Sequence, residues 1–228
     1  MKRQHGNCTE TERKKSAEIK KRIEAVKKVR SESTHEPTQK LAETPYLFGE
    51  IRPTDPPYLL IPKVSSETRR FIPMGYVEPS VICKDSAFMI PNATIYDFGL
   101  LTSTFHNAWM RSVGGRLKSD YNYSAGIVYN NFPFPVGVKP AAKKRIEDAA
   151  QAVLEARILI EKRCESDGEK CSLATMYSAK TPEELVSAHN ELDKAVDAAY
   201  AYGRNKKDDA SRVAFCLENI RNWLRRWW

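Results

Sequence analysis

Long apolar runs are missing from this sequence, and none approaches the roughly 20 residues that a membrane-spanning helix requires. The first fifteen residues, MKRQHGNCTETERKK, also lack the apolar core of a signal peptide. The sequence therefore predicts neither insertion into a membrane nor export, and we expect the protein to remain in the cytoplasm.

Cysteine and histidine are few and scattered. The cysteines are odd in number, lack metal-site spacing and are expected to be free thiols in a cytosolic protein. They are Cys8, Cys83, Cys164, Cys171 and Cys216. The four histidines also fall at no ligand spacing, and no Gly-x-Gly cofactor loop occurs in the first 113 residues. The sequence thus offers no metal ligand, no catalytic residue and no cofactor ligand.

Positive charge is abundant and unevenly placed. The chain has 228 residues, 41% of them hydrophobic and 29% charged, which is typical of globular proteins, and its net charge is +8. Residues 1–40 contain twelve Lys/Arg and six Asp/Glu, a net charge of +6. Basic chains attract polyanions, of which DNA is the commonest inside a cell. A solvated arm with no partner is the simpler interpretation of the first fifteen residues.

The two ends of the chain have helical patterns. Residues 12–31 predict a helix, because Ile19, Ile23 and Val26 recur at helical spacing. After Pro140 three amphipathic helices are expected, the first ending near Arg163. The second has Thr181 as N-cap with Pro182 and Glu184 completing the start signal, and ends at Gly203; the third begins near Asp209, with Leu217 on its apolar face.

Short β-like runs interrupted by proline occupy the region between these helices. They cover residues 58–61, 70–72, 81–83, 88–90 and 95–98. The expected fold is therefore α+β, with an N-terminal helix, a small irregular β-rich domain and a C-terminal three-helix bundle. The predicted domain boundaries are 1–40, 41–138 and 139–228.

The most informative stretch is 103–135. A helix over 103–113 places Phe105 and Trp109 on one face, and Gly114-Gly115 should end it in the left-handed conformation. The following residues, RLKSDYNY, are too polar to form a core, and Ile127–Tyr129 predicts a short strand. The final NNFPFP is expected to be rigid and extended.

Three segments resemble the MmeI-like DNA methyltransferases: IPKVSSETRRFIPMGY (61–76), IPNATIYDFGLLTSTFHNAWMR (90–111) and GRLKSDYNYSAGIVYNNFPFP (115–135). These are restriction-modification enzymes that methylate adenine N6 in duplex DNA. The resemblance implies a basic arm and helix over 1–40, a DNA target-recognition domain over 41–138 and a C-terminal helical domain over 139–228. It does not extend to the methylating and cleaving domains, so the catalytic domain is expected to be lacking.

The resemblance further implies a specificity pair after the Gly-Arg-Leu motif, at Lys118 and Asp120. In an extended segment these side chains point to the same side. A lysine can donate to guanine and an aspartate can accept from the paired cytosine, so the pair is expected to read one G·C base pair. A surface ion pair that only orders the loop is the alternative.

Further residues are candidates for contact with double-stranded DNA. The expected phosphate contacts are Lys63, Ser65, Ser66, Arg69, Arg70 and Arg116. Polar candidates near the groove are Asn92, Tyr121, Asn122, Tyr123, Asn130 and Asn131, for each of which a structural role is the alternative. The resemblance implies a protein at the nucleoid that works with a separate methyltransferase domain or subunit. That partner is expected to hold S-adenosylmethionine, and no cofactor is expected in this chain.

Two other functions stay open. Asp55-Pro56-Pro57-Tyr58 has the form of the loop that holds the target amino group in adenine-N6 methyltransferases, which would make the chain a complete small methyltransferase. However, no buried strand precedes it, so an ordinary connector is the favoured interpretation. Alternatively, the C-terminal helices are a protein-interaction scaffold, or the chain is a degenerate gene remnant without DNA specificity.

Overall fold

A computed structural model describes residues 9–49, 55–203 and 208–225. The chain divides into two compact units, one formed by residues 1–56 with 78–82 and the other by residues 57–77 with 83–228. The boundaries after residues 40 and 138 stay predictions. Within the described ranges, no helix is both long enough and apolar enough to span a membrane.

The first unit is helical. Its elements are α1 (Glu10–Lys15), α2 (Ala17–Ser31), α3 (Glu36–Lys40) and a 3-10 turn (Leu41–Glu43). The predicted helix over 12–31 is interrupted at Ser16, whose hydroxyl caps α2 by accepting from the Ile19 amide at 3.4 Å. Arg30 donates to the carbonyls of Leu41, Thr44 and Leu47 at 2.9–3.1 Å, so one guanidinium holds the returning chain against α2.

The second unit contains two three-stranded antiparallel sheets. In the first, β1 (Tyr58–Pro62) lies between β3 (Gly75–Val77) and β4 (Ala87–Pro91). In the second, β6 (Asp120–Asn122) lies between β2 (Val64–Ser65) and β5 (Gly115–Leu117). The predicted strands over 58–61 and 88–90 are confirmed, whereas residues 70–72 and 81–83 form no strand.

The run predicted as a strand over 95–98 begins helix α4 (Ile95–Thr102) instead. Thr94 and Asp97 form a capping box, in which the Thr94 amide donates to Asp97 at 2.8 Å and the Asp97 amide donates to Thr94 at 3.2 Å. These bonds satisfy donors that a helix start leaves open, and they outweigh the β propensity of the apolar side chains.

Helix α5 (Thr104–Val113) confirms the prediction for 103–113 and buries Phe105 and Trp109. The predicted left-handed ending is wrong, because Gly114 is extended, with φ −69° and ψ 150°. Glycine is required there for space, since a Cβ would lie 2.5 Å from the Met110 carbonyl oxygen. The strand predicted over 127–129 is also wrong: Ala125–Tyr129 forms one π-helical turn.

The C-terminal region is helical and the fold is α+β, as predicted. Its helices are α6 (Pro140–Ser166), α7 (Leu173–Met176), α8 (Glu183–Ala199) and α9 (Asp209–Leu224). Helix α6 packs against α8 and α4, whereas α9 packs against α5. The C-terminal helices therefore share one hydrophobic core with the helices that precede the β5–β6 hairpin.

Three details of these helices differ from the prediction. Pro182, not Thr181, is the N-cap of α8, and the Thr181 hydroxyl donates to the Ser178 carbonyl at 2.9 Å. Helix α8 ends at Ala199, four residues before Gly203, and Ala201 takes the left-handed conformation with φ 51°. On α9 the buried face includes Cys216, whereas the neighbouring Leu217 is 52% exposed.

Buried polar contacts fix the C-terminal helices to the β-rich part. The Asp193 carboxylate on α8 accepts from the amide and hydroxyl of Thr104, at the start of α5. Arg157 on α6 donates to the Met74 carbonyl at 2.7 Å, and to the Tyr177 hydroxyl from Nε at 2.8 Å and from Nη2 at 2.6 Å. The Asp193 bonds thus connect α8 to α5, and the Arg157 bonds connect α6 to the residue that directly precedes β3 of the first sheet.

Candidate nucleic-acid interface

The polar stretch after the double glycine is a β-hairpin, with β5 and β6 joined by a two-residue turn. The register pairs Gly115 with Asn122, Arg116 with Tyr121 and Leu117 with Asp120, and β2 continues the sheet on the other side of β6. Because side chains alternate between the two faces of a strand, this register determines which of them share a face.

The inner face of this sheet points to the core. It contains Ser65, 4% exposed, the half-buried Tyr121 and, in the same alternation, Tyr123, 3% exposed. The Tyr123 hydroxyl and His106 Nε2 are hydrogen-bonded at 2.8 Å. Burial lowers the pKa of His106 to about 3 and raises the pKa of Tyr123, so both side chains are neutral near pH 7.

The outer face carries four side chains of the three strands, whereas Arg116, which pairs with Tyr121, lies on the same face as Tyr121. Asp120 and Asn122 lie on the central strand, Leu117 on β5 and Val64 on β2. Asn122 is exposed, and the exposed fractions of Leu117 and Val64 are 56% and 38%. The outer face is therefore a polar central strand with an aliphatic side chain on each flanking strand.

The hairpin turn places a lysine in an unfavourable backbone conformation. Lys118 has φ 58°, the left-handed region that glycine usually takes at the first position of such a turn. The Arg116 guanidinium donates to the Ser119 carbonyl at 2.9 Å and lies 3.8 Å from the Tyr121 ring centroid. The Arg116 side chain therefore holds the turn in place, and Lys118 is exposed at the end of the hairpin.

The loop after β2 is joined to the hairpin through Asp120. The Asp120 carboxylate accepts from the Glu67 amide at 3.3 Å, and the Ser66 and Thr68 hydroxyls are hydrogen-bonded at 3.1 Å. Asp120 therefore has a structural role in addition to any role toward a ligand.

Most of the predicted contact residues lie in this sheet or its adjoining loop. Those brought together are Lys63, Ser65, Ser66, Arg69, Arg116, Lys118, Asp120, Tyr121 and Asn122. Lys63 stands between β1 and β2, with its ammonium 4.9 Å from the Phe88 ring centroid. Asn92 lies elsewhere, between β4 and α4, and Asn131 donates to the Gly126 and Ile127 carbonyls, so it caps the π-helical turn.

Three predicted contacts need correction. Tyr123 and Ser65 are buried on the inner face, so their side chains are not available to a ligand. Arg70 is directed to α8, where Nη2 donates to Asn190 at 3.0 Å and lies 4.0 Å from Asp193. The extended geometry assumed for Lys118 and Asp120 is also wrong, because Lys118 belongs to the turn and only Asp120 to a strand.

The Asp55–Tyr58 segment does not have the geometry of a methyltransferase loop. Tyr58, whose ring would stack on the flipped base, is 1% exposed and begins β1, where it pairs with Val77 and Pro91. Among the described residues no cluster of His, Cys, Asp and Glu could hold a metal ion. Cys83, Cys164, Cys171 and Cys216 are free thiols.

Sequence reasoning missed Val64 and Leu117 as parts of this surface. Their place on this surface follows from the pairing of Val64 in β2 with Asn122 in β6, and of Leu117 in β5 with Asp120 in β6. The sequence alone does not show this pairing, because β2 and β6 are more than 50 residues apart.

Two family models match the chain, and together they cover most of its length. The family model "MmeI, target recognition domain" matches residues 7–136, and "MmeI, C-terminal domain" matches residues 138–225. DNA methyltransferase A of Bacillus subtilis (strain 168) is 38% identical over 192 residues, which are 84% of this chain and 21% of that protein.

A solved structure of the type IIL restriction-modification enzyme MmeI in complex with DNA is also similar. It is 41% identical, with a TM-score of 0.84, over 96% of this chain and 28% of that one. The chain thus spans between a fifth and a third of the length of these relatives. It belongs to the MmeI family, of which it contains the target recognition domain and the C-terminal domain.

Proposed function

We propose that this chain binds double-stranded DNA sequence-specifically, as the target-recognition part of an MmeI-like adenine-N6 DNA methyltransferase. A separate methyltransferase domain or subunit would transfer the methyl group, and the protein would act in the cytoplasm, at the nucleoid. The observation that supports this most directly is the conformation of Lys118. A non-glycine residue with positive φ costs about 1–2 kcal/mol, and such strain is typical of functional sites.

Lys118 and Asp120 are proposed to read one G·C base pair. Lys118 extends from the end of a rigid hairpin, and Asp120 begins the strand that follows the turn. Lysine donates to guanine O6 and N7, and aspartate accepts from cytosine N4 in the major groove. The bond from the Glu67 amide restrains the Asp120 carboxylate, which limits the conformational entropy lost on binding.

The surrounding charge suits a polyanion. Residues 63–70 and 115–122 contain five basic and two acidic side chains, a net charge of +3. Lys63, Arg69 and Arg116 are proposed to contact phosphates, which position the protein without reading sequence. Arg70 is not among these contacts, because its guanidinium is engaged with α8.

The cofactor of such an enzyme, S-adenosylmethionine, does not fit the residues described. The segment that resembles a methyltransferase loop, Asp55–Tyr58, has its tyrosine buried in β1, where it cannot stack on a base. We therefore assign no step of methyl transfer to this chain. The same burial argues against a complete small methyltransferase that uses Asp55–Tyr58.

Selection of bound sequences from a random duplex library tests the proposal. The wild-type chain is compared with the Lys118→Ala/Asp120→Asn variant, which leaves the net charge unchanged and keeps an oxygen for the Glu67 amide. We expect a defined consensus for the wild type and a loss of preference at one G·C pair in the variant, worth about 1–3 kcal/mol. Lys144→Ala/Asp148→Asn, which removes an exposed ion pair on α6, is the matched control and should leave the consensus unchanged.

A salt titration separates this function from a protein-interaction scaffold or a gene remnant. A recognition domain loses affinity steeply as salt rises but keeps its preference for one sequence. Binding that is weak at every salt concentration and equal for all sequences would contradict the proposal.

A further inference from the structure

We propose that Leu117 contacts the 5-methyl group of a thymine in the major groove, and so specifies an A·T base pair beside the pair assigned to Lys118 and Asp120. The inference rests on the proposed function and adds a residue of a different chemical kind to it. Polar side chains read donors and acceptors, but the thymine methyl is the one apolar feature of the major-groove edge and is read by apolar contact.

The position of Leu117 supports this role. Its side chain is 56% exposed on the outer face of the second sheet, directly opposite Asp120 in the register. Opposite residues on one face of an antiparallel pair have their Cβ atoms about 4.5–5.5 Å apart. A base edge that reaches Asp120 therefore lies within reach of Leu117 without movement of the hairpin.

The chemistry around Leu117 also favours DNA over an apolar protein partner. Its chain neighbours are Arg116 and Lys118, and residues 63–70 and 115–122 together have a net charge of +3. An apolar protein interface is depleted of charge at its centre, whereas here one aliphatic side chain stands among cations. Gly115, opposite Asn122, adds no side chain, and a Cβ there would approach nothing closer than 3.9 Å, which leaves the outer face open.

Insertion between stacked bases is the other way in which an exposed leucine contacts DNA. Leu117 lies within the paired part of β5, before the turn, and its backbone is held by the ladder with β6. A side chain that inserts between bases must project beyond the strand that carries it. In this hairpin the residue that does so is Lys118, not Leu117. The geometry therefore favours lateral contact with a base edge.

Replacement of thymine by deoxyuridine tests the contact, since it removes only the methyl group. Each thymine of the selected consensus duplex is replaced in turn, and the affinities of the wild type, Leu117→Ala and Leu159→Ala are measured. Leu159→Ala is the matched control, because Leu159 is also an exposed leucine, 65% exposed on α6. We expect one replacement to weaken wild-type binding about fourfold, as the burial of one methyl-sized group implies.

The Leu117→Ala variant should bind thymine and deoxyuridine duplexes equally at that position, whereas Leu159→Ala should behave as the wild type. Equal binding of all duplexes by the wild type, with its sequence preference intact, would overturn the assignment. The assignment would also be overturned if Leu117→Ala lowered the affinity for every sequence and still bound the deoxyuridine duplex more weakly than the thymine duplex. That result is expected of a side chain that inserts between bases. A wild type with no sequence preference would instead contradict the proposed function itself.

Discussion

The Arg116 guanidinium lies 3.8 Å from the centroid of the Tyr121 ring, directly across the β5–β6 pair, and also donates to the Ser119 carbonyl. A cation over an aromatic face is stabilised by about 0.5–1 kcal/mol at an exposed site. The hairpin thus orders a cationic side chain in advance of binding, which lowers the entropic cost of a phosphate contact.

Removal of the ring is therefore expected to weaken DNA binding even though Tyr121 itself need not touch DNA. Tyr121→Ala should lower affinity by roughly twofold to fivefold, the equivalent of about 0.5–1 kcal/mol. Tyr121→Phe retains the aromatic face and is expected to bind as the wild type. Binding isotherms at one salt concentration check this, and equal losses in the two variants would contradict a role for the stack.

If Arg116 contacts a phosphate, its removal should act on all sequences alike. Arg116→Gln is expected to weaken binding uniformly and to reduce the slope of log affinity against log salt by about 1. Titrations at four or more salt concentrations, on the consensus duplex and on a scrambled one, measure the slope. A loss confined to the consensus duplex would show instead that Arg116 reads a base.

Relief of the strained turn should separate stability from recognition. Lys118→Gly is expected to raise the free energy of unfolding by up to about 1 kcal/mol, because glycine adopts positive φ without steric cost. The same variant should lose the preference for the G·C pair. Ala201→Gly is the matched control: Ala201, just after α8, has φ 51°, so it should gain similar stability while keeping the preference.

Denaturant unfolding and library selection on both variants provide the two measurements. If the Lys118→Gly variant selected the wild-type consensus, Lys118 would have no role in sequence recognition. A variant that is no more stable than the wild type would mean that the left-handed turn is held by other interactions.

The sequence predicted those elements whose signals are local. The helix over 103–113 was predictable because Ser103 caps it and its apolar side chains recur at helical spacing. The strand at 58–61 is an apolar run between two prolines, and the strand at 88–90 is an apolar run that a proline follows. Ile95–Phe98 was mistaken for a strand because its side chains suit either state, and a capping box of two polar side chains decides between them.

The candidate site was only partly predictable, because its geometry depends on tertiary pairing. Residues 115–122 have no alternating apolar pattern, so the hairpin could not be seen, and neither could the positive φ of Lys118. The same limit explains Leu217 on α9. The helix turns Cys216 to the core rather than its larger neighbour, since the buried face is set by α5, against which α9 packs.

Two buried histidines should make the protein less stable in mild acid. Burial lowers the pKa of His106 to about 3, and burial together with the charges of Arg157 and Arg70 lowers the pKa of His189 to about 3. An unfolded histidine has a pKa of about 6.5. Below that pH the unfolded chain takes up protons that the folded chain does not, so stability falls as the pH is lowered from about 6.5 toward about 3.

Between pH 6.5 and 5.5 the two histidines should together reduce the free energy of unfolding by about 2 kcal/mol. Urea unfolding at these pH values measures this; the buried carboxyl of Asp193, whose pKa is raised by burial, opposes the effect where it takes up a proton. His189→Gln, which no longer titrates, should show about half the decrease. Stability that is unchanged over this interval would mean that the histidines are protonated in the folded state.

The Tyr177 hydroxyl is expected to be the most important single polar atom of the core. It accepts from Arg157 Nε and Nη2 at 2.8 and 2.6 Å and is hydrogen-bonded to His189 Nε2 at 2.7 Å. Tyr177→Phe would leave a buried guanidinium, 6% exposed, with two donors unpaired. Loss of a hydrogen-bond acceptor from a buried charged group costs about 1.5–3 kcal/mol, so this variant should be clearly destabilised.

Tyr200→Phe is the matched control, because the Tyr200 hydroxyl makes one neutral hydrogen bond, to the Pro133 carbonyl at 2.9 Å. Its loss is expected to cost about 1 kcal/mol. The Arg157→Met/Tyr177→Phe double variant should recover part of the stability lost in Tyr177→Phe, since it removes the unpaired charge together with its partner. Urea unfolding of the three variants tests the order, and equal destabilisation by Tyr177→Phe and Tyr200→Phe would contradict it.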